Sequence, residues 1–106
     1  MSILEQVHSG RRHHPPRLLI YGSEGVGKST LAAQAPKPVF IQTEDGLDQI
    51  ECDSFPLARS FEDVLVCLTA LSAEGHDYQT VVIDTADWLE RLIFDHVCKQ
   101  YAAKSV

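Results

Sequence analysis

The stretch Arg17-Leu18-Leu19-Ile20-Tyr21-Gly22-Ser23-Glu24-Gly25-Val26-Gly27-Lys28-Ser29-Thr30 decides how this chain is read. Its apolar run from Leu18 to Tyr21, ending at Gly22, has the character of a strand buried on both faces of a parallel sheet. The glycines that follow let the backbone turn so that successive N–H groups point inward at an anion. Residues 28–35 read as a short helix stopped by Pro36. Its positive dipole end and unpaired amides face the same spot. Gly22 through Ser29 fits G-x-x-x-x-G-K-[ST] at every fixed position, between a strand and a helix where the pattern must sit. A chance match in a chain this long is roughly a few in a thousand, given ordinary glycine usage. The expectation is a phosphate-binding loop in which Gly22, Ser23, Glu24, Gly25, Val26 and Gly27 wrap a triphosphate. Lys28 is then the point charge for the β- and γ-phosphate oxygens. Ser29 offers its hydroxyl to Mg²⁺, and Thr30 extends the hydroxyls toward the α-phosphate.

Outward from the loop, Pro38–Thr43 reads as a second strand, followed by the turn Glu44-Asp45-Gly46. A weak third strand over Asp53–Ala58 is interrupted by Pro56, which places it at an edge. Ser60-Phe61-Glu62-Asp63 is a capping-box-like helix start. Phe61, Val64, Leu65, Leu68 and Leu71 then follow at helical spacing, with Gly75 as the stop. Gln79–Asp84 is another buried strand. Asp87, with Glu90 three residues on, opens a last helix whose packed face carries Leu89, Leu92, Ile93 and Val97. Strands alternating with helices predict a parallel α/β sheet.

Two acidic positions add to the loop. Val81-Val82-Ile83-Asp84 is an apolar strand ending in an acid, the Walker B pattern, and the carboxyl end of a parallel strand is where such sheets place ligands. Asp84 is therefore the second expected Mg²⁺ partner, through Ser29 or a bound water, since Mg²⁺ keeps several waters. A helix cap, the structural alternative, belongs more naturally to Asp87. Thr85, not a glutamate, follows Asp84. Hydrolysis needs a group that orients the attacking water, and Glu44 is the nearest candidate. Asp45 is its rival, and a solvated acidic turn is the plain alternative.

Composition narrows the classes. At 106 residues and 44% apolar, the chain suits one small domain and is neither disordered nor fibrous. A net charge of −6 argues against a nucleic-acid groove over the whole surface. The basic cluster Arg11, Arg12, His13, His14 and Arg17 reads as a solvated, partly disordered tail, with phosphate contact as the alternative; residues 1–16 are expected to be flexible, ahead of a domain over 17–106. Cys52, Cys67 and Cys98 are odd in number and widely spaced, which fits neither a disulfide framework nor a zinc site. Packing is the expected role of Cys67 and Cys98. No apolar run approaches the ~20 residues of a membrane span. The amino terminus lacks a signal-peptide pattern, so a cytoplasmic protein without a membrane partner is expected.

Taken together, Ile20-Tyr21-Gly22 into the loop, Phe40 through Leu47 with its Thr43-Glu44-Asp45-Gly46, Asp53-Ser54-Phe55-Pro56, and Tyr78 through Thr85 resemble the phage-type RecA-like AAA ATPases. That resemblance implies a three-layer RecA-like core with a mostly parallel sheet. It implies Mg²⁺-dependent binding and hydrolysis of ATP in phage-type recombination or single-strand annealing, with single-stranded DNA and further copies of the chain as partners. Lys28 and Glu44 fall on the catalytic positions and Asp84 on the Walker aspartate. The family continues beyond this point into a sensor strand lying between the P-loop and Walker B strands. Its absence would orphan ladder groups at on the order of 1–3 kcal/mol each. A fragment is the expectation, with direct pairing of the two strands or a second chain in the gap as alternatives. Two other functions stay open: a non-catalytic nucleotide-binding module, and a small P-loop kinase. The scattered Lys37, Arg59, Arg91, Lys99 and Lys104 make a poor cationic lid for a kinase. Arg59 and Arg91 are unassigned arginine-finger candidates, and Tyr21, His76 and Tyr78 are aromatic candidates for a base pocket.

Overall fold

Val39, Phe40 and Ile41 are consecutive and all buried (4%, 0% and 0% exposed), as a strand covered on both faces requires. In the computed structural model, which describes residues 2–10, 14–23, 26–47 and 50–104, they form the heart of β1 (Pro38–Gln42). β1 is the middle of a three-stranded sheet. Its neighbours are β2 (Asp53–Ser54) and β3 (Thr80–Asp84), in the order β2-β1-β3. Both pairings are parallel, with Val39 opposite Asp53 on one side and Val81 on the other. The register ends at Gln42 opposite Asp84, which brings the carboxyl ends of β1 and β3 level.

Parallel strands of one sheet need crossover connections, and helix α2 (Phe61–Ala73) lies in the one that carries the chain from β2, across β1, to β3 on the other edge. Ser60 caps α2, its hydroxyl accepting from the Asp63 N–H at 3.2 Å. Asp63 reaches back to the Arg59 N–H at 2.9 Å, one residue earlier than the usual reciprocal bond. Helix α3 (Ala86–Lys104) follows β3 directly. Ile41, Ala58, Val64 and Cys67 make the core, with Phe55, Phe61, Leu68, Ile83, Leu89 and Leu92 packed around them. Glu62 and His96 tie α2 to α3 at 2.7 Å, and the Phe61 and His96 rings meet edge-on at 5.2 Å. A short helix α1 (Lys28–Ala32) precedes β1, and Ile3–Gln6 forms a 3₁₀ turn inside the segment read as flexible.

The structure is a small α/β fold whose three-stranded parallel sheet is consistent with part of a P-loop core. Residues 17–22 were expected to be a doubly buried strand; they belong to no strand, and Leu18, Leu19 and Tyr21 are 81%, 75% and 88% exposed. The cause is the ladder. β2 and β3 take both edges of β1, and residues 17–22 do not pair directly with the free edge of β3, which removes that alternative. A strand without a partner has nothing to bury itself against.

Smaller departures share one origin: periodicity gives a face but not what covers it. Cys67 is buried in α2, whereas Leu65, predicted to pack, is exposed. Ile93, Val97 and Cys98 are exposed on α3, so among the three free cysteines only Cys67 has the expected packing role in full. α2 ends at Ala73, where the extended Glu74 bonds back to Ala70 at 3.0 Å; Gly75 does not act as a left-handed stop. α1 ends at Ala32, short of residue 35. α3 starts at Ala86, and its cap is Thr85, not Asp87. The Thr85 hydroxyl accepts from the Trp88 N–H at 3.4 Å.

Candidate functional site

Three segments converge at the carboxyl ends of the strands: the start of α1, the residues after β1, and the end of β3. Gly27 precedes α1 with φ of 95°, a left-handed conformation that glycine adopts without strain. The bend it makes turns the chain from the Gly22-Ser23 segment into the helix. At Gly22 a side chain would press within 3.2 Å of Val26 Cγ1. Within this bend the Lys28 ammonium donates to the carbonyl oxygens of Gly22 at 2.5 Å and Ser23 at 3.1 Å. The lysine is thus folded into its own loop.

The next residue makes the long-range link. The Ser29 hydroxyl hydrogen-bonds the Asp84 carboxylate, joining positions 55 apart in sequence. Both side chains are partly buried, where such a bond is less screened than at the surface. Only oxygen donors meet here, a hydroxyl and a carboxylate.

The carboxyl tips of β1 and β3 are clasped one residue beyond the regular ladder. The Thr43 N–H donates to the Asp84 carbonyl at 2.8 Å. Its hydroxyl donates to the Thr85 carbonyl and accepts from the Thr85 N–H, both at 2.7 Å. The Asp84–Thr85 peptide is cis. Glu44, partly buried, has Oε2 at 3.5 Å from Thr85 Oγ1. Gln42 points the other way, its amide donating to Ser54 Oγ at 3.3 Å and the Phe55 carbonyl at 3.0 Å on the edge strand.

Of the residues singled out in the sequence, Lys28, Ser29, Glu44 and Asp84 therefore gather at one rim. Gly22, Ser23, Val26 and Gly27 form the bend beside them, and Thr30 is exposed on α1. Glu24 and Gly25 lie outside the described residues, as do Arg11, Arg12 and His13. Asp45 is exposed. The aromatic candidates lie elsewhere. Tyr21 is in solvent, while His76 and Tyr78 sit at the opposite, amino end of the strands. There the Tyr78 hydroxyl donates to Asp53 at 2.8 Å, raising the tyrosine pKa, and the Tyr78 N–H donates to His76 Nδ1 at 3.0 Å. The Arg91 guanidinium stacks over Trp88 at 4.5 Å. Thr43 and Thr85 are the site residues that sequence reasoning passed over. The available signal was a hydroxyl residue closing each apolar strand run beside an acid.

An open hollow of about 470 Å³ lies at the amino end of the strands, lined by Lys37, Glu51, Cys52, Asp53, Asp77 and Tyr78 among others. Three carboxylates against one lysine suit an anion poorly. Burial, then Asp53 and Asp84, pushes the Cys52 thiol pKa up, so its neutral form is favoured. Among the described residues no group of histidine, cysteine and acidic side chains is arranged to hold a metal on its own. No described helix is long and apolar enough to cross a membrane.

Comparison with known proteins places the chain in an AAA-type P-loop family. The family model described as an AAA domain (AAA_24) matches residues 14–105, and the chain belongs to that family. Over 93 residues it is 29% identical to the SPbeta prophage-derived uncharacterized protein YorG of Bacillus subtilis (strain 168). That similarity covers 84% of this chain but 29% of the relative, so the chain spans under a third of the relative's length. No solved structure matches the chain.

Proposed function

We propose that the chain carries the nucleotide site of a Mg²⁺-dependent ATPase of the RecA-like type, acting in phage-type recombination or related DNA metabolism. The observation that carries this reading is the Ser29–Asp84 hydrogen bond. It puts the loop hydroxyl and the Walker B carboxylate at one point beside Lys28. An all-oxygen donor pair fits Mg²⁺, which takes oxygen ligands. When bound, the ion would neutralise charge on the β- and γ-phosphate oxygens.

In this reading Lys28 exchanges the carbonyls of Gly22 and Ser23 for phosphate oxygens. The residues from Gly22 to Gly27 wrap the triphosphate, and Thr30 approaches the α-phosphate. Glu44 orients a water and takes its proton as the water oxygen bonds the γ-phosphorus. The bond from that phosphorus to the bridging oxygen breaks, and ADP and phosphate leave. Single-stranded DNA and other copies of the chain are the proposed partners, with a neighbouring copy supplying the arginine, and the cytoplasm is the proposed compartment. The prophage origin of the relative and the Thr-Glu-Asp-Gly resemblance support the DNA role.

Steady-state hydrolysis tests the enzyme reading. Lys28→Ala abolishes turnover, and Glu44→Gln lowers kcat by at least ~100-fold while ATP affinity stays within about threefold. Turnover indifferent to both substitutions overturns it. Stimulation by single-stranded DNA tests the DNA role. A second reading, nucleotide binding without turnover, is favoured by the unpaired residues 17–22 and the free edge of β3. It predicts ATP binding that depends on Lys28 with no hydrolysis.

A further inference from the structure

Thr43 is the one buried polar side chain among the described residues, and it lies next to Glu44. A hydroxyl has one proton to give and lone pairs to accept with. Thr43 uses both roles on one partner, holding the carbonyl and the N–H of Thr85 at 2.7 Å each. Its own N–H holds the Asp84 carbonyl. The clasp therefore grips Asp84, the last residue of β3, and Thr85, the residue after it, and each threonine is joined by a peptide bond to an acid: Thr43 to Glu44, and Thr85 to Asp84. Thr85 extends the connection, since its hydroxyl sits between Glu44 Oε2 and the Trp88 N–H at the start of α3. Regular pairing of β1 and β3 ends at Gln42 and Asp84. The Gln42 carbonyl also accepts from the Ala58 N–H at 2.9 Å, and beyond that peptide the clasp sets the direction in which Glu44 leaves β1.

We propose that Thr43 is a positioning residue: by locking the β1 tip to Thr85 it sets the Glu44 carboxylate relative to Asp84 and the loop. The assignment rests on the ATPase reading above and concerns the hydrolytic step within it. An error of about an ångström in the placement of a reacting group can cost on the order of a hundredfold in rate, and Glu44 has only the 3.5 Å approach of Thr85 to steady it otherwise.

The test uses the full chain, with hydrolysis of Mg·ATP and binding of a fluorescent ATP analogue measured on the same preparations. Thr43→Val keeps the shape and removes the hydroxyl. Folded Thr43→Val is expected to lose roughly 10–100-fold in kcat with ATP affinity within about threefold, and Thr43→Ser to recover most of the loss. A hydroxyl that merely joined two strands would lower the melting temperature without dividing kcat from affinity. Unchanged kcat in folded Thr43→Val, or a serine variant as slow as the valine one, overturns the proposal. Should Thr43→Val not fold, Thr43→Cys keeps a small side chain but leaves only a weak donor and acceptor to hold Thr85. It is expected to lose roughly 3–10-fold in kcat with ATP affinity within about threefold, and unchanged kcat overturns the proposal. Wild-type chain that binds ATP through Lys28 without cleaving it defeats the parent reading instead, a result readily told from equal rates in wild type and variants.

Discussion

Two short runs in this chain are both strongly apolar and have opposite fates. Val39-Phe40-Ile41 is enclosed, while Leu18-Leu19-Ile20-Tyr21 lies largely in solvent. Hydrophobicity does not separate them. β1 has a strand on each side and the α2–α3 layer over Ile41, whereas residues 17–22 have no ladder partner among the described residues. Burial of an apolar strand is thus a property of its neighbours, because its backbone N–H and C=O groups must be paired before its side chains can leave water.

The contrast can be broken most forcefully by truncation. Phe40→Ala is expected to destabilise the fold by about 3–5 kcal/mol, whereas Leu18→Ala, with little to lose, should stay within about 0.5 kcal/mol. Urea unfolding followed by circular dichroism measures both, and equal effects would erase the distinction. Thiol labelling sharpens it next. Cys98 should react rapidly in the native state and Cys67 only as the core opens, since burial, helped by Asp63, raises the Cys67 pKa and favours its neutral form. Parallel kinetics for the two would contradict the core assignment.

Removing the α2 cap with Ser60→Ala should cost about 1 kcal/mol, read from the same urea curves. The smallest effect concerns Glu62, whose carboxyl is held below the ordinary glutamate range first by its backbone N–H and then by His96. A depressed acid stabilises the fold above its unfolded pKa and loses that contribution as the pH falls through the folded value. The melting-temperature advantage of wild type over Glu62→Gln should therefore be present at pH 6 and shrink below about pH 4.3, the unfolded value. An advantage that grew on acidification would reverse the sign.

Much of the fold was legible because local chemistry and tertiary context agreed. The run Val39–Ile41, the Ser60 cap, a short edge strand beginning at Asp53 and the strand ending at Asp84 all depend on near neighbours. The meeting of Ser29 and Asp84 was legible because a loop and an acid at the ends of parallel strands share one rim. What failed depended on distant partners. Nothing in Leu18–Tyr21 states whether a strand lies alongside, and nothing in the α3 pattern states whether a layer covers Ile93, Val97 and Cys98. The Thr43–Thr85 clasp was hidden for a related reason, since two threonines 42 positions apart meet only once the register of β1 and β3 is set.

The central claim is that the bend from Gly22 to Thr30 cradles a triphosphate. Amide hydrogen exchange with and without Mg·ATP tests it most directly. Slowed exchange at Gly27, Lys28, Ser29 and Thr30, lost in Lys28→Ala, is the predicted result. Bound nucleotide that leaves those amides unchanged, or protects the acidic hollow around Asp53 and Tyr78 instead, would contradict the account.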